Sequence, residues 1–213
     1  MDVILGFDPG GVGEFGWAVL ELTSGARPAF RKSGSAGHAE GAIHAALANV
    51  DSNDRVAAAE IDSPLYWTPS GDRLAEVAVH ASMKARGAPN VGGTVQHPNS
   101  LRGACVVQGP ATAIILRQRI PNVPITEAHP KALLWALGIA TQARQPRDLT
   151  YADLDQLVPC TYACEHERDA ILSAWAAHCM VRRSSGWINL AAAEPSPIFM
   201  AGPVEYWFPV AAS

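Results

Sequence analysis

Acidic residues stand at the ends of several apolar segments of this 213-residue chain. The first is Asp8, which ends the apolar run VILGF and is followed by PGG. Proline cannot continue a central strand and glycine readily adopts positive φ, so the chain is predicted to turn here and return as a strand over 15–20. An aspartate before Pro-Gly is also a common turn residue. The pattern therefore predicts a β-hairpin with a carboxylate at its mouth.

Further acids occupy comparable positions later in the chain. Glu60 and Asp62 end a predicted strand near 55–61, and Glu127 ends a short strand near 123–127. Asp169 lies in the first turns of a predicted helix over 165–183, with His166 three residues earlier on the same face. Acids at the start of a helix are also favoured by the helix dipole alone.

If these ends meet, the chemistry they offer is divalent metal binding. Carboxylates gathered in one place repel one another, and Mg²⁺ or Mn²⁺ is the usual counter-ion. Two such ions activate water and stabilise the leaving oxygen in phosphodiester hydrolysis. The candidate metal ligands are Asp8, Glu60, Asp62, Glu127, His166 and Asp169.

The elements that must position these residues form a mixed α/β pattern. The opening hairpin and a third strand near 28–33 precede a helix over 39–50, and this helix leads to the strand 55–61. A strand, a crossover helix and another strand imply a parallel pair beside the hairpin. We therefore expect a mixed five-stranded sheet flanked by helices near 72–86, 130–137 and 165–183, with another helix opened by Gly109-Pro110.

Composition favours one domain over 1–213, because 48% of the residues are hydrophobic and no clear linker interrupts the chain. Within it, 63–108 reads as a loop-rich insertion and 184–213 as an irregular tail. No apolar run approaches the ~20 residues of a membrane span, and no secretion signal opens the chain. A cytoplasmic protein with reduced cysteines is expected.

The net charge of −4 argues against a broad basic surface for duplex DNA. Positive charge concentrates between 117 and 148, so any nucleic-acid contact is expected to be local, although a solvated surface explains such a cluster equally well. The residues in question are Arg117, Arg119, Lys131, Arg144 and Arg147.

Four motifs in order carry a family resemblance: GFDPGG, EIDSPL, TEAHP and HERDAILSAWAAH. This order resembles that of the RNase H-like predicted nucleases grouped as domain of unknown function 429. The first and last motifs are also similar to RuvC-type Holliday-junction resolvases, in which a GIDPG strand and an acidic helix supply metal ligands. The resemblance spans roughly 3–210. It implies an RNase H-like fold and metal-dependent hydrolysis of DNA or RNA with Mg²⁺ or Mn²⁺.

On these motifs the resemblance implies that Asp8, Asp62 and Asp169 are the catalytic metal-binding carboxylates. It also implies that Glu127 and His129 lie in the same cleft. A resolvase-like alignment selects Glu60 as the second acid, whereas the Pro-Leu pair after Asp62 matches the predicted nucleases and favours Asp62.

Two other classes of function compete with a nuclease. One is an RNase H-fold binding or scaffold protein that keeps the acids without turnover. The other is an actin-like or hexokinase-like phosphate-binding domain, which opens with a similar hairpin but needs two domains, for which 213 residues are too few. The nucleic acid type is left open, as is a homodimer.

Overall fold

The computed structural model describes residues 1–11, 13–68, 73–96 and 103–210, without the side chains of 103 and 104. The strands are β1 (Asp2–Asp8), β2 (Phe15–Glu21), β3 (Ala29–Ala36), β4 (Arg55–Ile61), β5 (Tyr66–Trp67), β6 (Ile125–Glu127), β7 (Trp187–Asn189), β8 (Ile198–Phe199) and β9 (Glu205–Pro209). The helices are α1 (Ala39–Leu47), α2 (Leu74–Ala85), α3 (Val91–Thr94), α4 (Gly103–Arg119), α5 (Pro130–Ala136), α6 (Tyr151–Leu154) and α7 (Glu165–Arg182). None of these helices is long and apolar enough to cross a lipid bilayer.

Over the described ranges, the main sheet has seven strands in the order β3-β2-β1-β4-β6-β9-β7. The pairs β3-β2 and β2-β1 are antiparallel, whereas β1-β4, β4-β6 and β6-β9 are parallel. Strand β7 joins antiparallel at the far edge. The predicted α/β class, a mixed sheet flanked by helices, is confirmed, and all five predicted strands are present.

Helices cover the sheet because its central strands are apolar on both faces. Every residue of β1 between its two terminal aspartates is buried, which requires packing on each side. Helix α7 packs across β1, β2 and β4, while α1 packs against β2, β3 and α4. The carboxyl ends of β1 and β4 thus lie beside the first turns of α7.

The structure departs from the sequence-based boundaries at three helices, of which α1 ends at Leu47, three residues before its predicted end. Helix α4 begins at Gly103 and holds Pro110 in its interior, although Gly109-Pro110 was expected to open it. An interior proline removes an i→i−4 hydrogen bond and crowds the carbonyl of the preceding turn, and the packing of α4 against α1 and β4 offsets this cost. Helix α2 begins at Leu74, and residue 72, where the prediction began, lies outside the described residues.

The C-terminal segment is more regular than expected. Strand β9 extends the main sheet beside β6, and β7 pairs with β9. The apolar run of β9 is short and bounded by prolines at 203 and 209, which is why the sequence indicated irregular structure. Strand β7 forms the edge of the main sheet, which has two strands more than predicted.

Candidate active site

Asp8 and Asp62 lie side by side at the ends of neighbouring parallel strands. Asp8 is the last residue of β1, and Asp62 directly follows β4. The two strands pair up to Phe7 and Ile61, and the backbone N–H of Asp62 donates a 2.9 Å hydrogen bond to the carbonyl of Phe7. This pairing brings the first two predicted carboxylates to one edge of the sheet.

Two glycines allow α7 to approach this edge. A Cβ added at Gly6 would lie 2.0 Å from a backbone carbonyl oxygen of α7, and one added at Gly16 would lie 2.0 Å from the carbonyl oxygen of His166. Both distances are far below van der Waals contact, so neither position accepts a side chain while α7 stays in place. The close packing holds His166 and Asp169, three residues apart on α7, beside the end of β1.

Asp8 forms an ion pair with His166. Nδ1 of His166 lies 2.7 Å from Oδ2 of Asp8, and this hydrogen bond raises the pKa of His166 to about 9. Burial raises the pKa of Asp8 to about 6; the bond to His166 opposes the increase, and the charge of Asp62 adds to it. At neutral pH the imidazolium of His166 therefore donates to the Asp8 carboxylate.

Asp62 is held in the same manner by His129, the residue that precedes α5. Nδ1 of His129 lies 3.1 Å from Oδ1 of Asp62. Burial disfavours the charged ring of His129, but the hydrogen bond to Asp62 and the charge of Asp62 outweigh it, so the pKa of His129 is raised. The histidine N–H fixes one oxygen of the carboxylate and thereby its orientation.

Asp169 is only 2% exposed and is flanked by two cations. Nε of Arg168 donates a 2.8 Å hydrogen bond to Oδ1 of Asp169, and Nζ of Lys131 lies 3.6 Å from Oδ2. Burial raises the pKa of Asp169 to about 6 against the effect of Arg168, and the charge of Asp8 contributes to the increase. The three aspartates thus belong to one electrostatically linked group.

A cavity of about 440 Å³ opens at this edge of the sheet. Its wall includes two of the three aspartates; the buried Asp169 does not line it but pairs with Lys131, which does. The titratable side chains that line it are Asp8, Asp62, Cys105, His129, Lys131 and His166. The cavity offers carboxylate oxygens, imidazole nitrogens and one ammonium group to a ligand.

Glu60 does not reach the cavity. It is fully buried on β4, one alternation before Asp62, and pairs in register with Gly6 on β1. Burial, and next the charge of Asp62, hold the pKa of Glu60 well above its ordinary value. Among the described residues that line the cavity, Asp62 is therefore the acid that the end of β4 supplies.

Glu127 belongs to a separate buried cluster. Its carboxylate accepts hydrogen bonds of 2.9 and 2.6 Å from the guanidinium of Arg73, which also binds Glu76. Glu76, Glu127 and His129 each offer a ligand atom within 4.8 Å of the others, a spacing that could suit a metal ion. The guanidinium already binds both glutamates there, so the cluster has a resident cation from the chain itself.

The basic region predicted over 117–148 is largely engaged inside the chain. Arg117 donates to the carbonyls of Ala201 and Pro203, and Arg144 pairs with Asp153. Arg147 is different, because its side chain is 83% exposed and its closest ion-pair partner is Asp148 at 3.8 Å. Of these basic residues, only Lys131 lines the aspartate cavity, and Arg147 lines a neighbouring cavity to which Lys131 also belongs.

Two residues of the site had no assigned role in the sequence analysis. Arg73 lies in the loop-rich insertion, where nothing in the pattern connects it to Glu127. Lys131 was counted with the basic region, although it directly follows the EAHP motif and so had to lie near Glu127 and His129. A charged residue adjoining a site motif was the available signal for Lys131.

No protein-family model matches the chain, and no curated protein matches it. A search of solved structures finds the Thermus thermophilus RuvC structure, at 15% sequence identity and a TM-score of 0.49. The match covers 86% of this chain and 97% of that chain. A similarity at this level assigns no activity, and the resemblance to domain of unknown function 429 stays a prediction.

Proposed function

We propose that this chain is a metal-dependent nuclease that hydrolyses phosphodiester bonds, with Asp8, Asp62 and Asp169 as the metal-binding carboxylates. The observation that carries the proposal is that Asp8 of β1, Asp62 at the end of β4 and His166 of α7 line one cavity, with Asp169 joined to it through Lys131. The first and last of these residues, Asp8 and Asp169, are 161 positions apart in the sequence, and only the fold brings them together.

The donor set fits Mg²⁺ or Mn²⁺. Both ions take carboxylate oxygens, and Asp8 and Asp62 are each held through one oxygen by a neighbouring histidine, which leaves the other oxygen for an ion. Asp169 has Arg168 at one oxygen and Lys131 at 3.6 Å from the other, so an ion bound there would take the place of Lys131. The holding residues are His166 for Asp8, His129 for Asp62 and Arg168 for Asp169. When bound, the ions would supply Lewis acidity and an activated water. His166 is the alternative nitrogen ligand at the same place.

Two cations of the chain would receive the substrate. Lys131 is 44% exposed and long enough to turn from Asp169 to a phosphate oxygen in the cavity. Arg147 is more exposed and lines a second cavity, of about 660 Å³, to which Lys131 also belongs. A nucleic-acid backbone is the ligand class that uses such phosphate contacts, and its type, DNA or RNA, is left to experiment.

The decisive assay offers branched, duplex and single-stranded DNA and RNA to the protein with Mg²⁺ or Mn²⁺. We expect cleavage by the wild type and a loss of at least about 100-fold in Asp8→Asn, which keeps the shape of the side chain but removes its charge. Asp51→Asn, at an exposed loop position, is the matched control and should cleave like the wild type. Equal cleavage by Asp8→Asn and wild type would refute the assignment.

A scaffold or binding protein is the second candidate, and one observation favours it. The aspartates already have His166, Arg168 and Lys131 as partners within the chain, so the described site is partly charge-balanced without an ion. Absence of cleavage on every substrate, together with tight nucleic-acid binding that does not depend on Asp8, would establish this alternative.

A further inference from the structure

A row of buried ionic contacts connects the insertion to the aspartate cavity. It starts at Arg73, whose side chain is completely buried just before α2. Its guanidinium lies over the ring of Tyr66, 4.2 Å from the ring centroid, and donates to the carboxylates of Glu76 and Glu127. A buried arginine bound to two carboxylates in this way is fixed in position, because displacing it would leave both negative charges unpaired.

The row of ionic contacts continues from Glu127 to the cavity. Oε1 of Glu127 lies 3.8 Å from Nε2 of His129, while Nδ1 of the same ring contacts Asp62 at 3.1 Å. The ring of His129 also packs edge-on against Tyr206, with 5.7 Å between centroids. Glu127 is the last residue of β6 and His129 lies two residues later, so fixing Glu127 also fixes the backbone from which His129 projects.

We propose that Arg73 and His129 are positioning residues that hold Asp62 in the orientation that binds the divalent ion: His129 contacts Asp62 directly, and Arg73 acts on His129 through Glu127. The inference rests on the proposed function in one respect, namely that Asp62 is a metal ligand. Arg73, a residue of the insertion, thereby takes part in metal binding, although the three metal-binding aspartates lie outside the insertion. Glu127 then serves the site by organising His129, and its own carboxylate stays with Arg73.

The charges of the cluster support this division of roles. Both oxygens of Glu127 bind the guanidinium, and Oε2 also accepts a 2.9 Å hydrogen bond from the backbone N–H of Leu65. A carboxylate that satisfies three donors has little capacity left for an ion. Asp62 is held by His129 through one oxygen and faces the cavity, so it can take a metal.

The experiment measures Mn²⁺ affinity by titration calorimetry on the full chain, without substrate. His129→Ala should weaken Mn²⁺ binding by about 10- to 100-fold, because removal of a group that orients a ligand typically costs that much. His129→Asn, whose amide can take the place of Nδ1, should recover most of the loss. His44→Ala, at an exposed position of α1, is the matched control and should bind like the wild type.

Arg73→Lys tests the end of the row of ionic contacts that is farthest from the cavity. Lysine keeps the charge but lacks the planar fork that binds Glu76 and Glu127 together, so affinity should fall by about 3- to 30-fold. If Arg73 acts through His129, the double variant should lose less than the product of the two single effects. If both substitutions only destabilise the fold, their losses of Mn²⁺ affinity should multiply in the double variant and should parallel the losses of thermal stability.

The outcomes separate this inference from the proposed function. If the wild type binds Mn²⁺ and both His129→Ala and Arg73→Lys bind equally well, the positioning role is refuted and the nuclease proposal stands. If the wild type binds no Mn²⁺ at all, both fall together, since Asp62 then has no ion to bind. Should Arg73→Lys fail to fold, His129→Ala and its asparagine rescue decide the question alone.

Discussion

Lys131 is the side chain whose positive charge most directly opposes the binding of a metal ion at Asp169. Its ammonium group lies 3.6 Å from both Asp169 and Glu165, and its pKa is raised because the charges of these acids outweigh the effect of burial. An ammonium that shares the carboxylates with a divalent ion repels that ion, although solvent weakens the effect at a half-exposed side chain.

Lys131→Met should therefore tighten Mn²⁺ binding, by about two- to five-fold given the size of partly exposed ion-pair effects. The same variant should bind nucleic acid less well if the ammonium contacts phosphate. Calorimetry with Mn²⁺ and a separate titration with oligonucleotide distinguish the two effects. Weaker Mn²⁺ binding in the variant would show that Lys131 supports the ion instead of competing with it.

At the scale of elements, the position of α7 depends on the absence of side chains at Gly6 and Gly16. The helix carries His166 and Asp169, so any outward shift of α7 moves both away from Asp8. The added methyl group of an alanine at Gly6 would meet backbone atoms of α7, which cannot rotate out of the way as a side chain can.

Gly6→Ala should lower the free energy of unfolding by about 1–3 kcal/mol, the usual cost of overpacking, and should also weaken Mn²⁺ binding. Gly37→Ala is the control, because a Cβ at Gly37 meets nothing within 4 Å. Urea denaturation and calorimetry measure the two effects. A Gly6→Ala protein with wild-type stability and affinity would mean that α7 does not need this approach.

The sequence predicted those elements whose signals are local. β1 shows an apolar run stopped by Asp8 and Pro-Gly, and α7 shows a long apolar stripe; each was placed within a residue or two. β9 was missed because its partner is β6, about 80 residues earlier, and no local pattern records a parallel pairing over that distance.

The site residues, like the elements, could be predicted only where the sequence carries a local signal. The ends of β1 and β4 predicted the positions of Asp8 and Asp62 because strand ends in a parallel pair meet at one edge. The partner of Glu127 could not be predicted, since the ion pair with Arg73 joins β6 to a residue 54 positions earlier, and no local pattern records a contact over that distance. The ionic cluster depends on tertiary packing alone.

For the molecule as a whole, the buried aspartates make stability depend on pH. The pKa values of Asp8 and Asp169 are raised to about 6 from 3.8, so the folded state binds protons more tightly than the unfolded state between these values. The free energy of unfolding of the metal-free protein should therefore fall as pH rises through that window. The raised pKa of His166, about 9 against 6.5, extends the fall between those values.

This predicts a metal-free protein that is most stable near pH 4, as far as these groups determine it, with a loss of about 1–3 kcal/mol for each aspartate by pH 7. Mn²⁺ should reverse the loss, and more strongly at pH 8 than at pH 5, because it binds the ionised carboxylates. Denaturant titrations at several pH values, with chelator or with Mn²⁺, measure both effects. A stability that rises from pH 4 to 7 in chelator would contradict the assignment of these carboxyl groups.

The most direct test is the anomalous diffraction of crystals soaked in Mn²⁺. We expect a peak beside the carboxylates of Asp8, Asp62 and Asp169, at ligand distances of about 2.1 Å, with Arg73 still bound to Glu127. Crystals of Asp8→Asn should lose the peak. Absence of density at the three aspartates, or a peak at Glu76 and Glu127 with Arg73 displaced, would refute the assignment of the metal site.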